Sequence, residues 1–311
     1  MNKRILVIGS INIDLSIASS CFPKKGETVK GKDFFKTVGG KGLNQAVAAH
    51  KFGQNVCFCG NIGFDHDAAM VYEILERYGL GTEHIKRDGQ THTGSAIIVR
   101  AEEDNAIIID EGANGTLDFG SVRETIDSVA PDYVMLQFEL SHEVNMNIIR
   151  YCYDRGIKVV LNTAPASDME EEVLKCIDTL ILNQTEVEYY TGNYPSSETE
   201  AFAASQYFLD RGVVHVVVTL GDHGSIYAGK EKRIFQKAYK SNVIDSTGAG
   251  DAFTGVYVSA ISKYGDVKKA LQFANAAGGL TCEKNGAIIA SPTYREIENK
   301  ILEEENNEKS V

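Results

Sequence analysis

The chain has 311 residues, with 31 Lys and Arg against 43 Asp and Glu, so its net charge is −12 with neutral histidines. Its 43% hydrophobic and 24% charged residues are those of a globular protein with a large core, which excludes a disordered or collagen-like chain. The acidic balance argues against nucleic acid or an anionic membrane as partner and puts small molecules first, although a local basic pocket can still hold a phosphate.

The N-terminal MNKRILVIGSINIDL has a short apolar run over 5–11 that Asn12 and Asp14 interrupt. It lacks a small-residue cleavage site, and no later window approaches the roughly 20 apolar residues of a membrane helix, so a buried first strand and a cytoplasmic location are expected. An extended piece follows over 27–38, then GGKGLNQA at 39–46 opening a helix. Cys57 and Cys59 flank Phe58 on a strand, and the six cysteines lack zinc or CxxC spacing, so reduced core thiols are expected. Asp65 and Asp67 are expected to cap a helix running to Tyr78. GSAIIV and AIIID, on either side of Glu102-Glu103-Asp104-Asn105, form a hairpin signature.

From Tyr133 the pattern alternates: YVMLQF, a helix to Arg155, KVVLN, TLILN, two further helices and VVHVVVT. Strands apolar on both faces and separated by helices predict a doubly wound, mostly parallel α/β sheet flanked by helices. Ligands bind beyond the carboxyl ends of such strands, where Asn12, Asp14, Glu139, Asn162, Asn183 and Thr219 fall. A single domain over 1–311 is expected, with a small β-sheet lid inserted near 12–38 and 91–110. An exposed small sheet needs a cover, and a second subunit is one solution, so a homodimer through the lid is expected. The acidic stretch over 303–309 reads as a frayed tail.

The densest chemistry is in Asp245-Ser246-Thr247-Gly248-Ala249-Gly250-Asp251-Ala252-Phe253, immediately before a helix. Glycines permit close backbone approach, and the N–H groups of a helix start form an anion hole at the positive end of the dipole. Asp251, in the first helical turn, could accept a hydroxyl proton beside that hole. An isolated GAGD is more often a loop with a capping aspartate; the other segments reverse that order. Lys41 and Asn44 could grip a polyhydroxylated substrate, or mark a tight turn with a solvated lysine. Asn12 and Asp14 face the same way and could bridge adjacent hydroxyls, or cap a turn. The GK pairs at 31, 40 and 229 lack a following Ser or Thr, so the P-loop mechanism is absent, and without a GxGxxG, GxSxG or HExxH, hydride transfer and serine hydrolysis lose ground. His215 reads as a packed core residue.

GSINID, GGKGLNQA, the NQTE stretch from Asn183, TLGDHG from Thr219 and DSTGAGDAF together resemble the ribokinase-like carbohydrate kinases (the PfkB family), in order, from about residue 4 to about 295. The resemblance implies ATP-dependent phosphorylation of D-ribose at its 5-hydroxyl, giving ribose 5-phosphate and ADP, with Mg²⁺ required and K⁺ activating. It implies that Asn12, Asp14, Gly40, Lys41, Gly42, Asn44 and Glu139 hold the sugar and that Asp251 is the general base. Gly248, Ala249 and Gly250 would form the anion hole. Asn183, Thr219, Leu220, Gly221, Asp222, His223, Gly224, Gly250 and Asn275 would line the nucleotide pocket, and Glu186 would orient Mg²⁺ through water. Potassium would be held by Asp245, Thr247, Thr281, Lys284, Gly286 and Ala290, mostly through backbone carbonyls. Ala290 stands where the family often has serine. A deoxyribose, fructose or adenosine kinase, or a catalytically silent sugar-binding protein, are the alternatives on the same fold.

Overall fold

The computed structural model describes residues 3–101 and 104–309. Among them, nine strands form the main sheet in the order β13-β12-β11-β10-β9-β8-β1-β4-β5. They are β1 (Arg4–Ile8), β4 (Asn55–Gly63), β5 (Ile85–Asp88), β8 (Tyr133–Gln137), β9 (Lys158–Asn162), β10 (Thr179–Asn183), β11 (His215–Thr219), β12 (Gly224–Gly229) and β13 (Arg233–Lys237). From β11 to β5 neighbours run parallel, and β12 and β13 complete one side antiparallel.

The strands read as apolar runs because both faces are covered. On β1, Ile5 and Val7 enter one core cluster while Leu6 and Ile8 enter the other. The first cluster packs under α1 (Lys41–Lys51), α2 (Asp67–Tyr78), α8 (Ala249–Tyr264), α9 (Val267–Cys282) and α10 (Tyr294–Lys309). The second lies under α3 (Phe119–Val129), α4 (His142–Asp154), the short α5 (Glu171–Leu174), α6 (Gln184–Thr191) and α7 (Glu198–Leu209). This is the doubly wound architecture expected from the alternation. No described helix is long and apolar enough to cross a membrane.

A second sheet of four strands has the order β3-β2-β6-β7, formed by β2 (Asn12–Ser19), β3 (Gly31–Gly39), β6 (Gly94–Ala101) and β7 (Asp104–Asp110). These strands fall in the two segments expected for the lid. The chain leaves the main sheet at Ile8 and enters the small one at Asn12, so the apolar run over 5–11 is not one strand. Glu102 and Glu103 of the expected hairpin turn lie outside the described residues.

Two expectations change. The acidic stretch after Glu303 is not a frayed tail: α10 continues through Lys309, anchored by buried Ile297 and half-buried Ile301 against the core. Asp65 does serve the start of α2, accepting from the Ala68 N–H at 2.9 Å, but Asp67 lies within the first turn and pairs with Lys36 of β3. His215 is half-buried and bonded to the Tyr227 hydroxyl at 2.8 Å, which agrees with a packed residue.

Candidate active site

Glycines bring the functional segments together. Gly42, in the first turn of α1, abuts the end of β1, where a Cβ would come within 2.5 Å of the Gly9 carbonyl carbon and the Ser10 nitrogen. Gly40, the N-cap at φ 94°, sits against the Ser10 carbonyl. Gly255 lets α8 lie against α1, since a Cβ there would meet the Gln45 carbonyl at 2.5 Å. The start of α1, the start of α8 and the end of β1 therefore converge. Gly40 and Gly42 act here by close packing.

The polar side chains of these segments form two hydrogen-bonded sets, one around Glu139 and one around Asp251. Glu139, just past β8, accepts from Ser10 Oγ at 2.5 Å, from the Lys41 backbone N–H at 3.1 Å and from Asn12 Nδ2 at 3.5 Å. Asp251 accepts from Asn44 Nδ2 on Oδ2 at 2.8 Å and from Gln45 Nε2 on Oδ1 at 3.0 Å. Asn44 Oδ1 is buried without a partner, so a donor is wanted there, as a sugar hydroxyl would supply. Asn12 is fixed from behind by Asn114, whose Nδ2 donates to Asn12 Oδ1 at 2.8 Å and to the Ile11 carbonyl at 3.1 Å, and whose Oδ1 accepts from the Ile11 N–H at 2.9 Å.

Asp14 is in register with Thr37 on β3, and its carboxylate leans back over Gly39, where any Cβ would come within 2.1 Å of it. Burial, then the neighbouring Glu139 and Asp251, push its pKa from the ordinary 3.8 to about 7, against the pull of Lys41. Burial alone would lower the Lys41 pKa, but Asp251, Glu139, Glu186 and Asp14 outweigh it, raise the value and keep the ammonium charged. Glu186 is raised by burial despite bonds from the Asn183 N–H at 2.9 Å and the Thr163 hydroxyl at 3.1 Å. These carboxylates are incompletely compensated, which suits a site that receives a divalent cation on phosphates.

The start of α8 has its N-cap Gly248 at φ 78°, with open space beside Gly250. Within the expected anion hole, the Ala249 N–H is taken by the Ser246 carbonyl at 3.2 Å, so Ala249 offers no free donor. The expected nucleotide residues line up along strand ends: Asn183 is in register with Thr219, Thr219 with Ser225, and Ser225 Oγ accepts from Asn275 Nδ2 at 2.7 Å. Asn183 also caps α6 in a reciprocal pair with Glu186. Leu220 closes the turn by donating to the Gly224 carbonyl at 2.8 Å, Gly221, Asp222 and His223 form one 3₁₀ turn, and Gly224 at φ 118° lies against the Gln236 carbonyl.

Of the expected potassium set, Asp245, Thr247 and Gly286 meet. Burial works against Asp245, but N–H bonds from Gly286 and Thr247, each 2.9 Å, hold its carboxyl below the ordinary range. Asp245 thus ties its own turn to the one at Gly286 with an ionised carboxylate, the charge that a monovalent cation there would need. Thr281 Oγ1 donates to the Ala277 carbonyl and Lys284 Nζ pairs with Glu296 at 3.0 Å, so neither side chain turns to Asp245 and only their carbonyls remain as ligands. Ala290 is buried and has no side-chain oxygen; the adjacent Ser291 Oγ is buried without a partner.

Asp14, Asp245, Thr247 and Gly286 open on one cleft of about 490 Å³ beneath the small sheet, together with Arg100, Thr37 and Ser16. Sequence reasoning assigned no role to Arg100, Asn114, Gln45 or Gln137. Gln45 sits inside GGKGLNQA and Gln137 ends an otherwise apolar strand, which is the only signal either carried; Asn114 carried none.

A family model described as pfkB family carbohydrate kinase matches residues 2–294. The chain belongs to this family of carbohydrate kinases. Among its kinase relatives, ribokinase of Haemophilus influenzae is 36% identical over 298 residues, covering 95% of this chain and 97% of that one. Deoxyribokinase of Salmonella typhi is 34% identical, covering 94% and 97%. A solved structure of Arabidopsis thaliana ribokinase complexed with ribose and ATP superposes with a TM-score of 0.87 at 29% identity, covering 97% of this chain and 99% of that one. The ribokinase-like fold of this chain, with its mostly parallel sheet and separate small sheet, is that of the family.

Proposed function

We propose that this kinase transfers the γ-phosphoryl group of ATP to the 5-hydroxyl of D-ribose, giving D-ribose 5-phosphate and ADP. The observation that carries the reading is Asp251, oriented by two amide donors in the first turn of a glycine-capped helix, beside the unpaired Asn44 Oδ1. Asn12, Asp14, Asn44 and Glu139 hold the sugar, with the charged Lys41 balancing the carboxylates. The 5-hydroxyl gives its proton to Asp251 as its oxygen attacks the γ-phosphorus, and the bond to the β-γ bridging oxygen breaks, releasing ADP. The N–H groups at Gly248 and Gly250 and the dipole of α8 favour the charge that develops on the transferred group.

The row formed by Asn183, Thr219 and Asn275, with the turn over 220–224, receives the nucleotide. Magnesium, oriented through water by Glu186, would neutralise phosphate charge when bound. Potassium would be held by Asp245 and the carbonyls of Thr247, Thr281, Lys284, Gly286 and Ala290, fixing the turn before α8. The small sheet closes as a lid, excluding water that would compete for the phosphoryl group. Its exposed Ile97 and Ile108, cross-strand partners on the face turned away from the cleft, form the face through which two copies pair.

The relatives include a deoxyribokinase, so 2-deoxyribose is the rival acceptor. Asn12 Nδ2, aimed toward Glu139, favours a sugar that carries its 2-hydroxyl. The test is ADP release from Mg-ATP with ribose, 2-deoxyribose, fructose and adenosine, each with and without K⁺. Ribose-dependent, K⁺-stimulated turnover is the expected result. Preference for another acceptor overturns the reading of the sugar grip, and no turnover with any of them moves a silent binding protein to the front.

A further inference from the structure

Behind Asp251 lie two glutamines with no solvent exposure, Gln45 on α1 and Gln137 at the end of β8. Gln45 Nε2 donates to Asp251 Oδ1 at 3.0 Å and to Asn162 Oδ1 at 3.1 Å, and Gln45 Oε1 accepts from Gln137 Nε2 at 2.7 Å. The far ends are pinned. Asn162 Nδ2 donates to the Ile181 carbonyl at 3.2 Å, and Asn145 Nδ2 donates to the Gln137 backbone carbonyl at 3.1 Å. Gln137 Oε1, buried and without a partner, faces Gly9, where any Cβ would come within 2.1 Å of it.

A primary amide has a donor end and an acceptor end, so polarity passes along such a chain. Asp251 is an acceptor at both oxygens, because Asn44 Nδ2 holds Oδ2 at 2.8 Å. Gln45 must therefore turn its NH₂ group to Asp251 and its carbonyl to Gln137, and Gln137 must turn its own NH₂ group to Gln45. Reversing either amide sets two acceptors face to face where water cannot enter, which is as unfavourable as leaving a buried hydrogen bond unmade. The unpartnered Gln137 Oε1 is what this ordering leaves at the far end of the chain. A network that only filled the core would not need an orphan acceptor; one that must deliver a donor to a carboxylate does.

We propose that Gln45 and Gln137 are positioning residues, a one-way amide relay that ties Asp251 Oδ1 to the core and leaves the remaining lone pairs of Oδ2 directed at the acceptor hydroxyl. The proposal rests on the reading of Asp251 as the base. The charged groups that act on Asp251, among the described residues, are Lys41 of α1, Asp14 of β2 and Glu186 of α6, with Glu139 beside the first two. None of them changes in the variants below.

The test measures kcat, the sugar KM and melting temperature from pH 5 to 9 in the full chain, with Mg-ATP and whichever sugar gives the fastest ADP release, for Gln137→Met, Gln137→Glu, Gln45→Met, the double Met variant and Asp251→Asn. Gln137 touches neither reactant. In Gln137→Met, Gln45 is free to rotate away, so kcat falls about tenfold with the sugar KM within about twofold, and the acidic limb of kcat moves up by about one pH unit as the ionised base loses a donor. The double Met variant is no worse than Gln45→Met alone, as expected for links of one chain. In Gln137→Glu a protonated carboxyl can still donate to Gln45, so activity survives at low pH and a new descending limb appears as that carboxyl ionises.

A packing role alone lowers the melting temperature while leaving both limbs in place. Unmoved limbs in Gln137→Met and Gln137→Glu, or additive losses in the double variant, overturn the relay even where Asp251→Asn is inactive. Should Gln137→Met fail to fold, the descending limb of Gln137→Glu decides the matter. Turnover retained by Asp251→Asn overturns the reading of the base, and the relay with it.

Discussion

Asp14 stores a penalty that ligand binding can release. Its carboxyl, raised from 3.8 to about 7 chiefly by burial, lets the folded protein hold a proton that the unfolded chain has already lost across that window. The folded state therefore binds more protons than the unfolded one, and the free protein loses stability as pH rises from about 4 through about 7. A tenfold change in proton affinity between the two states is worth about 1.4 kcal/mol, so the loss amounts to a few kcal/mol at most. Asp14→Asn has no charge to bury. It should melt above the wild type at pH 8, with the gap closing near pH 4, in calorimetric scans of the free protein. A gap of equal size at both pH values would show that the buried charge of Asp14 is not its source.

At the level of elements, the contact between α1 and α8 decides whether the residues of two distant segments meet at all. Asn44 and Gln45 reach Asp251 only because Gly255, one turn further along α8, has no side chain to hold the helices apart. Gly255→Val forces a branched side chain against the Gln45 carbonyl and the Ala48 methyl, 2.9 Å away. It should destabilise the protein by about 1–3 kcal/mol, as overpacking of cores does, and should lower kcat in the molecules that remain folded. Gly250→Ala meets nothing within 4 Å, so its melting temperature should stay near that of the wild type. Denaturant unfolding of the two variants side by side checks the contrast.

This same contact marks where the sequence was legible and where it was not. The strands of the main sheet could be read because each is a local apolar run, covered on both faces, and the starts of α1 and α8 because glycines punctuate them. Of the residues expected to grip the sugar, Asn12 and the Lys41 N–H bond Glu139, Asn44 bonds Asp251, and Asp14 lies close enough to Glu139, Asp251 and Lys41 to feel their charges. Gln45, Gln137 and Asn114 stayed silent because a buried amide takes its meaning from its partner, and those partners lie 92 to 206 residues away along the chain. The continuation of α10 through an acidic stretch was missed for a related reason, since its anchors, Ile297 and Ile301, belong to the first half of the helix.

For the whole molecule, the feature that matters is the outer face of the small sheet. Ile108 is 69% exposed and its cross-strand partner Ile97 47%, so the two present one apolar face, while Ile107 and Ile109 turn to the opposite side with Ile98. Light scattering at micromolar concentration should give twice the chain mass of 34.0 kDa, and Ile108→Glu should give the single mass. A wild-type monomer would remove the pairing.

The strand β2 begins with Asn12 and Asp14 and continues as an inner strand of the small sheet, flanked by β3 and β6. Three residues, 9–11, separate it from β1. The part of the molecule that covers the cleft and the two residues proposed to meet the sugar first are thus one piece of chain and cannot be exchanged independently. A chimera that imports the small sheet of a relative imports the residues at Asn12 and Asp14 with it, while Asn44 of α1 and Asp251 of α8 stay behind, tied to each other by the contact at Gly255. Recombination among such kinases would then alter the small sheet and part of the proposed sugar grip in one step.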